Sequence, residues 1–179
     1  IQLHNKYSTN TQGWFPWIFD QCHMAEHSTV LEIGCGDGSL WLENKEKIPK
    51  QLHVVLSDIS EGMLRDTRRA IHANVKTSRF DFQVFDCERI PYPDNSFDLV
   101  IANHILFYCK NLTSVFEEIS RILKTGGTFV CSTYGAAHMK EINELVSEFD
   151  DRIVLSADRL FERFGKENGS DLLAPYFQN

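Results

Sequence analysis

The chain has 179 residues, 42% hydrophobic and 24% charged, with a formal net charge of −7. That length suits one domain able to bury most of its apolar surface, and the composition is that of a globular protein. No apolar run reaches the ~20 residues of a membrane span, and the acidic balance disfavours nucleic acid, whose phosphates are met by Lys and Arg.

The start, 1–10, is polar and unlike a signal peptide, and without an initiator Met the chain reads as a fragment of a longer product. Its five cysteines, Cys22, Cys35, Cys87, Cys109 and Cys131, are odd in number and never spaced as Cys-x-x-Cys. Reduced thiols in a cytoplasmic protein follow, and chemistry on a cysteine-held iron–sulfur cluster is disfavoured.

The first element is aromatic. Trp14, Trp17 and Ile18 fall at helical spacing, and Pro16 suits a first turn. One reading packs these rings on a sheet; the other makes the segment a lid over a ligand cleft, with Tyr7 and Trp14 touching the ligand. Cys22, His23, Glu26 and His27 lack the helical His-Glu-x-x-His order, so no metal is expected.

Val30-Leu31-Glu32-Ile33 reads as a buried strand that breaks into Gly34, Gly36 and Gly38 and then into a helix over 38–47. Glycine at alternate positions permits unusual dihedrals and close approach of a ligand, and the following helix offers unpaired N–H groups to an anionic part of it. The dinucleotide fingerprint needs Gly-x-Gly-x-x-Gly, and Ser39 stands where its last small residue belongs.

A second strand, Leu52-His53-Val54-Val55-Leu56-Ser57, ends in Asp58, and Ser60 can cap a helix running to Asn74. An acid about 20 residues past such a turn suits a ribose, whose hydroxyls donate to a carboxylate. The alternative for Asp58 is a helix cap. Ile59 and Met63 supply an apolar floor for a purine. Phe80, Phe82, Val84 and Phe85 form a third strand running into Asp86-Cys87-Glu88. Here the Asp86 carboxylate and the Cys87 amide can read adenine, or Asp86 only shapes a turn.

Turn chemistry over 90–96 precedes a fourth strand, Phe97-Asp98-Leu99-Val100-Ile101-Ala102, which opens into Asn103-His104. Leu112, Val115, Phe116, Ile119, Ile122 and Leu123 trace one face of a helix over 111–124, stopped by Gly126 and Gly127. A fifth strand follows over 128–133. Strand and helix alternate throughout, which predicts an α/β fold with a doubly wound, mainly parallel sheet covered on both faces.

Glu32-Ile33-Gly34-Cys35-Gly36-Asp37-Gly38, the acids Asp58 and Asp86, and Pro91-Tyr92-Pro93-Asp94-Asn95-Ser96-Phe97-Asp98-Leu99-Val100 stand in order and in register. Together they resemble class I S-adenosylmethionine-dependent methyltransferases over 30–133. Leu123-Lys124-Thr125-Gly126-Gly127-Thr128 is similar to their small-molecule branch, with Thr125 where proline is usual.

The resemblance implies S-adenosylmethionine as cofactor, S-adenosylhomocysteine as product and a small-molecule acceptor. It assigns Gly34, Gly36 and Gly38 to the methionine portion and Asp58 to the ribose, with Glu32 and Cys35 of the same turn also counted as cofactor-binding and Ile59 and Met63 kept as the purine floor. Asp86 and Cys87 go to the adenine, and Asn103 to the side of the reactive methyl. His104 is the histidine expected at the cleft mouth, as a base toward an oxygen or nitrogen acceptor or as a residue that merely lines the pocket. The Asn/Asp-Pro-Pro-aromatic motif of DNA amino-methylating enzymes is absent, and Ala102-Asn103-His104-Ile105 stands in its place.

The expected organisation is a lid over 1–28, a cofactor-binding core over 29–134 and a helical segment over 135–179. Ile142, Leu145, Val146 and Phe149 share a helix face within 141–149. Ile153-Val154-Leu155 and Leu160-Phe161-Glu162-Arg163-Phe164 look helical or irregular, and Gly165, Gly169 and Pro175 break the rest. The family's sheet ends in two further strands, one antiparallel. No matching alternation follows here, so the expectation is a chain without that pair and with its fifth strand as an edge. The oligomeric state is left open. The rival functions are a non-catalytic module that binds the cofactor or its product, and an NAD-dependent oxidoreductase.

Overall fold

Among the described residues five strands form one sheet: β1 (Thr29–Ile33), β2 (His53–Asp58), β3 (Arg79–Val84), β4 (Phe97–Asn103) and β5 (Leu123–Ser132). They lie in the order β3-β2-β1-β4-β5, and every pairing is parallel. The structure is a computed structural model that describes residues 6–76, 78–150, 152 and 159–178. The 153–155 segment read above as helical or irregular lies outside the described residues.

Helices α1 (Trp14–Gln21), α2 (Ser39–Leu42), α3 (Glu61–Asn74) and α4 (Leu112–Ile122) link the strands or flank them, followed by α5 (Lys140–Phe149) and α6 (Gly169–Leu173). Successive strand residues point to opposite faces, so each strand feeds two cores. On one face Val30, Val54, Leu56, Leu99 and Ile101 meet Ile18, Trp41 and Ile71. On the other, Leu31, Ile33, Val55 and Val100 meet Val115, Phe116, Ile119 and Phe164. Strands buried on both sides must be continuously apolar, which is why β1, β2 and β4 were legible as short hydrophobic runs.

Caps agree with the sequence. The Ser60 hydroxyl accepts from the Met63 N–H at the head of α3, and the Asn111 carboxamide accepts from the Ser114 N–H at the head of α4. Boundaries differ in three places. The helix expected over 38–47 is only α2, because the Asn44 side chain donates to the Leu40 carbonyl at 2.8 Å and the chain turns. The helix expected to reach residue 124 stops at Ile122. Leu123 is extended, pairs in register with Phe97, and leaves Lys124 to bond Asp98 at 2.8 Å. Gly169, expected to break structure, instead opens α6. A Cβ there would come within 3.3 Å of the Phe164 ring, so the glycine serves packing.

Among the described residues no strand follows β5, whose outer edge has no partner strand. The C-terminal residues pack across α4, where Tyr176 and Phe177 sit 5.5 and 6.3 Å from the Phe116 ring.

Candidate functional site

The carboxyl ends of the strands bring the predicted residues to one edge of the sheet. β2 lies on one side of β1 and β4 on the other, so connections after β1 and β4 leave in opposite directions and open a crevice between them. The glycine turn after β1 stands there, with Asp58 at the end of β2, Asp86 past β3 and Asn103 closing β4.

Each glycine of the turn has a left-handed φ, at +67°, +54° and +79° for Gly34, Gly36 and Gly38, yet their surroundings differ. A Cβ on Gly34 would lie 2.4 Å from Cγ2 of Ile105, and one on Gly38 would lie 2.8 Å from Cγ2 of Thr67. On Gly36 it would meet nothing within 4 Å. Asp58 fixes the turn, accepting from the Gly36 N–H at 3.1 Å and from the Ser60 N–H at 2.9 Å. Thr67 Oγ1 donates to the Gly36 carbonyl at 2.6 Å, and the Cys35 N–H donates to the Ser57 carbonyl at 2.9 Å.

The helix start expected to present free N–H groups is a correction. Asp37 already accepts from the Ser39 N–H and hydroxyl, and α2 has four residues, too few to build a strong dipole.

Glu32 lies beneath the turn, fully buried, and accepts from Nε1 of Trp41 at 2.6 Å. Burial pushes its carboxyl up to about 8; the Trp41 hydrogen bond opposes the shift, and Asp37 and Asp58 add to it. At neutral pH it is therefore largely protonated. Cys35 is buried as well, and burial raises its thiol out of reactive range.

Ile59 and Met63 flank Asp58 and are 71% and 45% exposed, an apolar pair left outside both cores. Asp86 accepts from the Glu88 N–H at 3.0 Å, the Asx turn weighed as its alternative role, and this uses one carboxylate oxygen. The Cys87 thiol lies 3.4 Å from that of Cys109.

Asn103 accepts from the Ser132 hydroxyl at 2.5 Å and from Nε1 of Trp14 at 3.3 Å. His104 takes a φ of +56°, and its N–H is shared between the carbonyl and the hydroxyl of Ser132. Its ring stands edge-on to Trp14 at 4.8 Å and stacks loosely on Tyr134 at 6.3 Å. Burial first, then the nearby His138, holds its imidazole below the ordinary histidine range.

Trp14 and Trp17 are 40% and 42% exposed, so they are not the core-packing stripe that their spacing suggests; α1 instead buries Ile18 and Phe19. Trp14 reaches the cleft. Tyr7 is exposed and its ring meets Lys6; no described contact joins it to Asn103 or His104.

A methyltransferase domain family model matches residues 31–131, from within β1 to the penultimate residue of β5. The chain belongs to this methyltransferase domain family.

The demethylmenaquinone methyltransferase of Symbiobacterium thermophilum is 31% identical over 120 residues, 67% of this chain and 48% of that protein. Among solved structures, an S-adenosylmethionine-dependent methyltransferase from Aquifex aeolicus superposes with a TM-score of 0.69 at 14% identity, covering 98% of this chain and 86% of that one. Phosphoethanolamine N-methyltransferase 2 of Haemonchus contortus, solved with S-adenosyl-L-methionine, gives 0.66 at 22% identity, covering 92% and 36%. The chain spans about half the length of the curated relatives it matches.

Within the methyltransferase fold, sequence reasoning missed four residues at the cleft. Ile105 and Thr67 pack against Gly34 and Gly38, while Ser132 and Tyr134 frame Asn103 and His104. All four are ordinary residues, and only the sheet order brings them together. Ser132 alone had a signal, a polar residue closing an apolar strand.

Proposed function

We propose that this domain binds S-adenosylmethionine in the glycine turn and transfers its methyl group to a small-molecule acceptor beside Asn103 and His104. Gly36 carries the reading. The turn's outer glycines are packed against Ile105 and Thr67, whereas the space a side chain would fill at Gly36 is open. A backbone held in a left-handed conformation with its flank bare suits the close approach of a ligand.

Asp58 has one backbone donor on each oxygen and retains lone pairs for two ribose hydroxyls. Ile59 and Met63 offer apolar surface to the purine, and Asp86 with the Cys87 amide offers an acceptor and a donor to adenine. The cofactor supplies a methyl already activated on a sulfonium, so the protein's tasks are to orient the acceptor and exclude water.

Trp14, Phe107 and Tyr134 surround His104 with ring faces and edges, which suits a flat, apolar acceptor. A neutral His104 can accept the proton such an acceptor loses. The relative named for demethylmenaquinone fits that class. A cytoplasmic location is part of the proposal, consistent with five free cysteines.

The test is a calorimetric titration of wild type and Asp58→Ala with S-adenosylmethionine, S-adenosylhomocysteine and NADH, with a thermal melt of each. Low-micromolar binding of both sulfur ligands, weakened at least about tenfold in a folded Asp58→Ala, is expected. Binding of NADH alone, or full affinity in the variant, overturns the assignment. Binding without methyl transfer to a short-chain demethylmenaquinol or any other small acceptor would favour the non-catalytic module.

A further inference from the structure

The Cys87 and Cys109 sulfurs approach to 3.4 Å from two different loops. Cys87 follows Asp86 in the turn after β3, and Cys109 ends the 3₁₀ turn Leu106–Tyr108 after β4. The loops are already clamped, because one Glu88 oxygen accepts from the backbone N–H groups of Lys110 and Asn111, each at 2.9 Å. Both thiols are partly exposed, in contrast to buried Cys22 and Cys35. Cys109 also lines an open groove of about 560 Å³ whose rim carries Lys110 and Arg163.

We propose that Cys87 and Cys109 form a reversible disulfide, made by exchange with an anionic small-molecule disulfide that enters over Lys110 and Arg163, and that this bond lowers cofactor affinity. The cofactor half of this statement rests on the function proposed above.

Closing the sulfurs from 3.4 Å to the about 2.05 Å of a disulfide shortens their separation by roughly 1.3 Å, shared between side-chain rotation and the two loop backbones. The share taken by the Cys87 backbone moves the amide proposed to read adenine and weakens that hydrogen bond.

The hydrogen bond between the two thiols lowers that of Cys109 and raises that of Cys87; burial, then Glu88 and Asp86, oppose the lowering. Cys109, which lines the groove beside Lys110 and Arg163 whereas Cys87 does not, is the first nucleophile. Its thiolate attacks one sulfur of glutathione disulfide, the glutathione S–S bond breaks, and the departing thiolate takes up the proton lost from Cys109. The Cys87 thiolate then attacks the Cys109 sulfur of the mixed disulfide. A second glutathione leaves and takes up the Cys87 proton. Two protein thiols are oxidised and one small disulfide is reduced to two thiols.

The test incubates the folded protein with glutathione disulfide, maps cross-linked peptides by mass spectrometry, and titrates S-adenosylhomocysteine before oxidation, after it, and after dithiothreitol. The expected result is one intramolecular link, Cys87 to Cys109, with about tenfold weaker binding that dithiothreitol restores. Cys109→Ser should keep the affinity of the reduced wild type and lose the response to oxidant. By linkage, bound S-adenosylhomocysteine should protect the pair by the same factor. No link, a link through other cysteines, or a link that leaves affinity unchanged overturns the proposal. If the reduced protein binds no S-adenosylhomocysteine, the cofactor assignment fails, and the peptide map still decides the disulfide.

Discussion

Glu32 and the three glycines share one turn yet answer to different forces. Glu32 is held neutral by burial, and its folded pKa, up to about 8, lies above the ordinary 4.5. The folded state thus favours its protonated form. That contribution is fully present below about pH 4.5 and is lost as pH rises through about 8. Glu32→Gln keeps an acceptor for Trp41 and removes the titration. In thermal melts of the ligand-free protein, the variant should gain on wild type from pH 5 to 8, by on the order of 3 kcal/mol at the top. A difference independent of pH would refute the burial argument.

The glycines separate in the same kind of experiment. Gly34→Ala adds a clash with Ile105 to an unfavourable φ and should cost about 3 kcal/mol, seen as a lowered Tm. Gly36→Ala has the φ penalty alone, about 1–2 kcal/mol, but puts a methyl in open cleft and should abolish S-adenosylhomocysteine binding by calorimetry. Equal stability losses in the two would contradict this division. The alternate spacing of the glycines was plain in the sequence. Which of them faces a neighbour and which faces space was not, because Ile105 is 71 positions away in the chain.

At the scale of elements, the two amphipathic patterns on either side of β5 part company. The face of α5 reads as well as that of α4, yet Leu145 is 67% and Phe149 87% exposed, and no described residue covers them. Val115, Phe116, Ile119 and Ile122 of α4 are fully buried. What ties the C-terminal part down is Phe164, 1% exposed and 6.1 Å from the Phe116 ring. Phe164→Ala should therefore destabilise by about 3–5 kcal/mol in urea, and Leu145→Glu by no more than about 0.5 kcal/mol. The reverse ranking would show α5 to be the anchor. The aromatic spacing of α1 misleads in the opposite way. Periodicity reports that rings share a face, and here that face is turned partly to the cleft, where Trp14 meets Asn103.

Over the whole molecule, strand order does what no local pattern can. Residues 34–38, 58, 86 and 103 come from four strand ends, and the order β3-β2-β1-β4-β5 sets them along one edge around the β1/β4 crevice. Alternation of strand and helix announced a parallel sheet, since short connections cannot join parallel neighbours without a crossover. Apolar runs, side-chain caps and the Gly34-Gly36-Gly38 turn are local, and local sterics and hydrogen bonding wrote them into the sequence in readable form. Membership of the methyltransferase family was legible for that reason. Contacts between elements distant in sequence were decided only by tertiary packing. Among them are the neutral Glu32 under Trp41, the Ile105 side chain against Gly34, the Trp14 reach to Asn103, and the Cys87–Cys109 approach across two loops. Each depends on where a second element lands, and burial of both sheet faces, a sum over the whole chain, determines that position.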